Sequence, residues 1–276
     1  MPLVTNFSSA SLTYSLNAPA VGASLPLAID SSSLNIVADA PLSYRNRIIN
    51  GAMQISQRYG ATEYLSANGY SVDRFATRPF SSPTGVFKAQ QVTDAPTGFN
   101  YSLKVTCTTA QTSLNTTAGT QGFGITQMIE GFNVGDFDLG TVQAKTFTFS
   151  FWVKSSQAGV FSLCLSNGAQ DRAYGVAVTI NAVNTWEYKT ITITGDTTGT
   201  WLKDNGGGLQ VIWGLGAATG RIITENAWST GVAGPLTPLR VSGQTINIVE
   251  TVGASFQVTG VQLEVGSKAS AFERRP

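Results

Sequence analysis

Five tryptophans and the short polar run NGAQDRAY (167–174) are the residues here with the most to offer a ligand. A pyranose stacks its apolar face on an indole or phenol ring, while nearby amides, carboxylates and guanidinium groups take its hydroxyls. On that chemistry the candidate glycan contacts are Trp152, Asp171, Arg172, Tyr174, Trp201 and Trp228. Trp201 in GTWLKDNGGG and Trp228 in ENAWSTG lie in loops, where each either meets a ligand or folds over the edge of a core. Trp152 falls on the polar-phase face of its strand, so it lines an exposed sheet face or packs beneath the N-terminal segment or a neighbouring subunit. Asp171, Arg172 and Tyr174 stand together at a strand entrance, as sugar contacts or as a charged turn. Trp186 and Trp213 sit within strand patterns and read as core.

Catalytic chemistry has less to work with. The chain contains no histidine, which removes Ser-His-Asp and Cys-His triads, imidazole acid–base work and His-ligated zinc. No Gly-rich phosphate loop of either common type is present. A carboxylate pair for glycoside hydrolysis is the remaining route, with Glu130, Asp136, Asp138, Asp171, Glu187, Asp204 and Glu225 as candidates. Any chain with 16 acids supplies such pairs by chance. The expectation is therefore a protein that is not an enzyme and needs no cofactor. Cys107 and Cys164 each lie in an apolar run and read as buried free thiols.

The elements that must position these residues are strands. Hydrophobic residues make up 42% of the 276-residue chain, ample for a core, but charged residues only 12%, about half the ~25% of an average soluble domain. With a net charge of +1 and no Lys/Arg run, no nucleic-acid groove is expected. No apolar run reaches the ~20 residues of a membrane span, and no basic residue precedes Arg45, as a secretory signal requires. After Arg45 the sequence alternates with a period of two. YSLKVTC puts Tyr101, Leu103, Val105 and Cys107 on one face; TFTFSFWVK does the same with Phe147, Phe149, Phe151 and Val153. AYGVAVTI, WEYKTITIT and LQVIWGL follow, separated by the turn signals SNGAQD, GDTTG, KDNGGG and VAGP. In SFQVTGVQLEVG the apolar phase switches at Gly260, which predicts a bulge there. ITQMIEGF reads as one short helical turn. Many short strands with Gly/Asn-rich turns predict an all-β chain, a jelly-roll β-sandwich.

Residues 1–44 are different, with two charged side chains, Asp30 and Asp39, and prolines at 19, 26 and 41. Short extended pieces fit them, Leu25 to Ile29 and Leu34 to Val37. Such a segment needs a partner surface for its apolar residues. The domain reading is thus an extended N-terminal arm at 1–45, for attachment to a larger assembly, and a jelly roll at 46–276.

NRIINGAMQISQRYG (46–60) followed by YSVDRF resembles the start of a domain of tailed-phage virion proteins, itself similar to the jelly-roll carbohydrate-binding modules of glycoside hydrolases. MIEGFNVGDF, AKTFTFSFWVKSS, NTWEYKTITITGDTTGTW and VTGVQLEVGSKASAFERRP continue the likeness in the same order. The resemblance implies a virion structural protein, a tail fibre or related surface fibre in weak contact with host glycans. A capsid decoration or head-fibre protein is the alternative, and a glycan-degrading enzyme the remote one. It implies location on the virion surface after synthesis in the host cytoplasm. The partners expected are other virion proteins through residues 1–45, sister subunits in a homotrimer and host cell-surface polysaccharide, with no nucleic acid and no membrane insertion. Related modules hold a calcium ion between their first and last strands. Here the corresponding positions are Gln54, Thr259 and Gly260, too poor in charge for a hard cation, and Glu264 alone does not suffice; GDFDLG, with Asp136 and Asp138, is a weaker candidate. No metal is expected.

Overall fold

The computed structural model describes residues 44–65, 69–116, 118–230 and 237–275, with the backbone of two short strands nearer the N-terminus. Those two, β1 (Leu27–Asp30) and β2 (Asn35–Ala38), pair antiparallel with each other. The rest of the expected arm and the VAGP turn lie outside the described residues. In chain order there follow β3 (Tyr64–Leu65), β4 (Gly69–Val72), β5 (Phe75–Phe80), β6 (Val86–Val92), β7 (Ser102–Thr109) and β8 (Gly122–Glu130). Next come β9 (Phe147–Ser155), β10 (Gly159–Ser166), β11 (Ala173–Ile180), β12 (Glu187–Ile193) and β13 (Gly207–Ala217). The last are β14 (Ile222–Ile223), β15 (Trp228–Ser229), β16 (Arg240–Val241) and β17 (Ser255–Val265).

Two antiparallel sheets build an all-β jelly-roll sandwich. One runs β15-β11-β10-β13-β8-β5-β4, the other β12-β9-β17-β7-β6-β3. With 44% of the described residues in strands and 7% helical, far-UV circular dichroism should show helix well under about a quarter of the residues; more would contradict this architecture.

The alternation read from the sequence is the alternation of burial. Phe147, Phe149, Phe151 and Val153 of β9 and Leu103 and Val105 of β7 are fully buried in one cluster with Phe123, Ile125 and Trp213 of the facing sheet. Trp213 stands at its centre, its ring centroid 5.6 Å from Phe149 and 5.8 Å from Phe151. In β17, Phe256, Val258, Val261 and Leu263 all point inward, because the ladder to β9 skips a residue between Thr259 and Gln262. Gly260 supplies that bulge with φ +61°. A Cβ there would lie 2.7 Å from the Phe99 ring and 3.0 Å from Trp152. The outer face of the seven-stranded sheet carries a second small cluster, Cys164, Ala173, Ile212 and Leu239, where the segment around Leu239 lies over part of that face. Both cysteines are buried free thiols.

Two local readings need correction. ITQMIEGF is not a helical turn over most of its length: β8 runs to Glu130, and only Gly131–Asn133 turn as a 3-10 helix. β8 is hydrogen-bonded on both sides, to β5 and β13, and that double pairing outweighs any local preference. Trp186 is not core. It is half-buried beside Lys154 and Asp94, because Ile191 and Ile193 set the inward phase of β12 and residue 186 falls on the other.

The NRIING run is where the first and last parts of the domain are locked together. Asn46 is fully buried. Its Nδ2 donates to the carbonyls of Val261 (3.2 Å) and Glu273 (3.1 Å), and its Oδ1 accepts from the amides of Ile48 (3.0 Å) and Leu263 (3.2 Å). The Glu273 carboxylate accepts from the Tyr44 and Asn46 amides, each at 2.9 Å. Asn50 takes the left-handed conformation of the turn, φ +58°. Gly51 is needed for a different reason: a Cβ would enter the van der Waals shell of the Val261 carbonyl oxygen.

Candidate functional site

The structure gathers five of the six candidate residues at one edge of the sandwich. The strand register sets Tyr174 of β11 opposite Trp228 of β15, with ring centroids 5.1 Å apart, and Trp201 meets Trp228 edge-on at 5.4 Å. Trp228 Nε1 donates to the Thr194 carbonyl just beyond β12 (2.7 Å), so this side chain ties one sheet to the other. Trp201 is 9% exposed and donates to the Thr198 carbonyl at 3.1 Å. All three pack on the main core. Of the two alternatives for the loop tryptophans, this arrangement is the one in which they fold over a core edge.

Arg172 holds that edge in place. Its Nε and Nη2 donate to the two oxygens of Asp196 at 2.7 and 2.9 Å, and its stem lies against Gly199. Asp196 also accepts from the amide and hydroxyl of Thr198, each at 3.1 Å. Burial pushes the Asp196 pKa up, but the bonds from Arg172 and Thr198 prevail and hold it below its ordinary value. Asp171 is exposed and accepts from Asn167 Nδ2 at 2.6 Å. Trp152 stands apart, on the outer face of the six-stranded sheet. It is 5.3 Å from the Tyr188 ring and lines a recess of about 190 Å³ with Phe99, Gly260 and Phe272.

The acids are engaged in structure. Asp136 pairs with Arg47 (2.6 Å), and Asp138 with Lys145 (3.3 Å) and Lys203 (3.5 Å). Asp204 accepts from the Gly206 amide at 2.8 Å. Buried Glu264 accepts from the amide and hydroxyl of Ser270 at 2.8 and 2.6 Å. Among the described residues no group of three or more His, Cys, Asp or Glu converges on a point where a metal would sit. Glu187 accepts from the amides of Asn181 (2.8 Å) and Ala182 (2.9 Å), from Asn181 Nδ2 (2.8 Å) and from Lys189 Nζ (2.6 Å). Burial opposes its ionisation, yet these donors hold its pKa at about 2, below the ordinary 4.5. A folded-state pKa below the unfolded one stabilises above the unfolded value and is lost as pH falls through the folded one. Glu187→Gln should therefore cost about 1–2 kcal/mol at pH 7, with the difference from wild type shrinking from pH 4.5 toward 2; urea unfolding at pH 7 and pH 3 measures it.

A second concavity was not legible in the sequence. On the outer face of the seven-stranded sheet, Tyr70, Ala76 and Thr126 lie side by side across β4, β5 and β8. A groove of about 490 Å³ opens at this end of the sheet. Met128 lines it along the sheet, with Gln57 and Arg58 on one side and Asn205 to Gly207 on another. Arg74 Nη2 donates to Glu130 Oε1 at 2.5 Å. Burial raises the Glu130 pKa, but Arg74 and Asn133 outweigh it and keep the group below its ordinary range. It is thus an ionised acceptor at neutral pH. Asp73 Oδ1 accepts from the Gln57 amide at 3.2 Å.

No family model matches the chain, and no curated protein matches it. Solved structures with some likeness include "Bacteriophage CBA120 tailspike protein 4 enzymatically active domain", at 12% identity and TM-score 0.40, covering 81% of this chain and 22% of that one. TmCBM61 in complex with beta-1,4-galactotriose is similar at 11% identity and TM-score 0.35, over 80% of this chain and 99% of that one. The tripod from the baseplate of bacteriophage Tuc2009 is similar at 13% identity and TM-score 0.31, over 88% and 62%.

Proposed function

We propose that this chain is a structural component of a tailed-phage virion, a tail fibre or related surface fibre. In this reading the jelly roll from residue 46 is displayed outward, and residues 1–45 hold it to the particle and to sister subunits in a trimer. The observation that carries it is the junction at Asn46. The runs on which the phage resemblance rests lie far apart in sequence, yet Asn46 is hydrogen-bonded directly to Val261, Leu263 and Glu273, and Asn50 to Asp73. The likeness therefore follows the structural frame of one domain and not a scatter of surface residues. The low charge of residues 1–44 suits a segment that adds to neighbouring sheets through main-chain bonds.

Deleting residues 1–44 tests this. The truncated protein should fold, with its urea midpoint lowered only slightly by loss of the exposed Tyr44–Glu273 bond, and be missing from purified particles by mass spectrometry. Labelling of wild-type particles with antibody against the jelly roll should decorate a tail or surface fibre. Normal incorporation of the truncated protein would refute the role given to the arm.

A further inference from the structure

Asparagine is followed by glycine at Asn50, Asn68, Asn167 and Asn205, of which Asn68 lies outside the described residues. In such a pair the glycine nitrogen, with no Cβ beside it to block the approach, can reach the side-chain carbon of the asparagine. The fold treats the three described pairs differently. Asn50 and Asn167 are 3% and 1% exposed. Asn50 Nδ2 donates to the carbonyls of Ile55 and Asp73, each at 2.9 Å, and its Oδ1 accepts from the Ile55 amide at 3.0 Å. Asn167 Nδ2 donates to Asp171 Oδ1 (2.6 Å) and to the Thr200 carbonyl (2.9 Å). Its Oδ1 accepts from the amides of Asp171 and Arg172, each at 3.1 Å. Neither side chain can turn toward the next nitrogen without giving up these bonds. Asn205 is exposed on the rim of the Met128 groove, and its side chain makes no hydrogen bond among the described residues. The Gly206 N–H donates to the carboxylate of exposed Asp204 at 2.8 Å. The bonds that anchor this loop lie on either side: the Asp204 and Gly206 carbonyls accept from the amides of Phe132 and Gly131, each at 2.9 Å. The peptide unit between residues 205 and 206 therefore turns without breaking a backbone bond among the described residues.

We propose that Asn205 is a site of spontaneous covalent modification, deamidating through a cyclic imide to aspartate and isoaspartate while Asn50 and Asn167 stay intact. Hydroxide takes the Gly206 N–H proton, and the nitrogen attacks Asn205 Cγ. The N–Cγ bond forms as the Cγ–Nδ2 bond breaks, and Nδ2 takes a proton from water and leaves as ammonia. Water then adds to one of the two imide carbonyls. Cleavage of that carbonyl's bond to nitrogen gives aspartate or isoaspartate, with nothing oxidised or reduced. Position gives the change two effects. The groove lining pairs Arg58 and Arg74 with Asp73 and Glu130, and the new carboxylate tips that balance to negative. Isoaspartate also routes the main chain through its Cβ, which lengthens the path between the Asp204 and Gly206 carbonyls. Their bonds to Phe132 and Gly131 cannot both keep their present geometry, so the end of the β8–β13 pairing loosens as the chain ages.

The test incubates the purified full chain at pH 8 and 37 °C in heavy-oxygen water, then maps its peptides by mass spectrometry with electron-transfer fragmentation. Asn205 should convert about tenfold or more faster than Asn50 or Asn167, because those two must first give up their hydrogen bonds. The product should carry heavy oxygen, include isoaspartate and form more slowly at pH 6. In the guanidinium-unfolded chain the three sites should convert at similar rates. A Cβ at Gly206 would lie 2.7 Å from the tip of the Leu202 side chain and 3.0 Å from Asp204 Oδ1. Both of those residues are exposed and can shift, so Gly206→Ala should fold normally and slow the conversion about tenfold. Hydrogen exchange at the Gly131 and Phe132 amides should quicken in the aged wild type and not in aged Gly206→Ala. The proposal is overturned if Asn205 stays intact, or if Asn50 and Asn167 convert as fast as Asn205 in the folded chain. Aspartate formed without isoaspartate would also overturn it, since that is direct hydrolysis. The assay uses no particles, so its result does not bear on the virion role.

Discussion

Asn46→Ala should destabilise the jelly roll by about 3 kcal/mol or more. The side chain is fully buried and makes four hydrogen bonds, all to backbone groups. Alanine leaves the amides of Ile48 and Leu263 and the carbonyls of Val261 and Glu273 without this partner. Each buried backbone group stranded in this way costs about 1–3 kcal/mol, and relaxation recovers part of the total. Asn46→Asp is a sharper form of the same test. It keeps the Oδ1 acceptor, turns the Nδ2 donor into an acceptor facing two carbonyls, and brings a negative charge toward Glu273. It should be at least as damaging as alanine. Gly51→Ala acts on the same junction through sterics, pushing back the Val261 carbonyl. Urea unfolding followed by fluorescence measures all three, with Arg58→Ala as an exposed control expected within about 0.5 kcal/mol of wild type. A loss below 1 kcal/mol for Asn46→Ala would mean that the junction does not hold the domain together.

The second large effect is expected at the edge of the sandwich. Asp196→Ala strands the Arg172 guanidinium, whose side chain is 16% exposed against 3% for its partner. Breaking a buried pair by removing one member costs about 3–5 kcal/mol, because the other charge is left uncompensated. Arg172→Ala should cost nearly as much, and the double variant little more than either alone, since the two act as a unit. The pair also sets the segment from Thr198 to Trp201, so each variant should change the near-ultraviolet circular dichroism of the Tyr174, Trp201 and Trp228 group. The pH dependence has a definite sign. Asp196 is held below its ordinary 3.8 in the folded protein, so its contribution is complete above that value and is lost as pH falls below it. The wild type should therefore lose stability on acidification faster than Asp196→Ala. Equal acid sensitivity would show that the pair does not couple folding to protonation.

The same edge shows why a site read from residue types needs the fold. Trp201 and Trp228 are recognisable in the sequence as loop tryptophans, and NGAQDRAY as a polar cluster, and the structure does bring these residues together. There both indole N–H groups are taken by backbone carbonyls and Arg172 is committed to Asp196. Asp196 itself sits in GDTTG, which reads as an ordinary turn; nothing local marks it as the partner of an arginine 24 residues earlier. The groove was less visible still. Tyr70, Arg58, Met128 and Asn205 come from four separate segments. Each reads alone as an unremarkable surface or strand residue.

What the sequence determined by itself was the local geometry. A period of two in apolar residues dictates which face of a strand is buried, so the inward sets of β7 and β9 follow from the order of residue types alone. The phase switch at Gly260 has one cheap solution, a bulge at a residue that tolerates positive φ. Tertiary structure decided what period cannot encode. Pairing on both sides made a strand of ITQMIEGF. Closure of the sheets turned loop tryptophans into an edge seal. Packing of Leu239 over Cys164, Ala173 and Ile212 buried part of the outer face of the seven-stranded sheet. These outcomes depend on contacts between residues tens to hundreds of positions apart, whose free energy is realised only when the whole sandwich assembles.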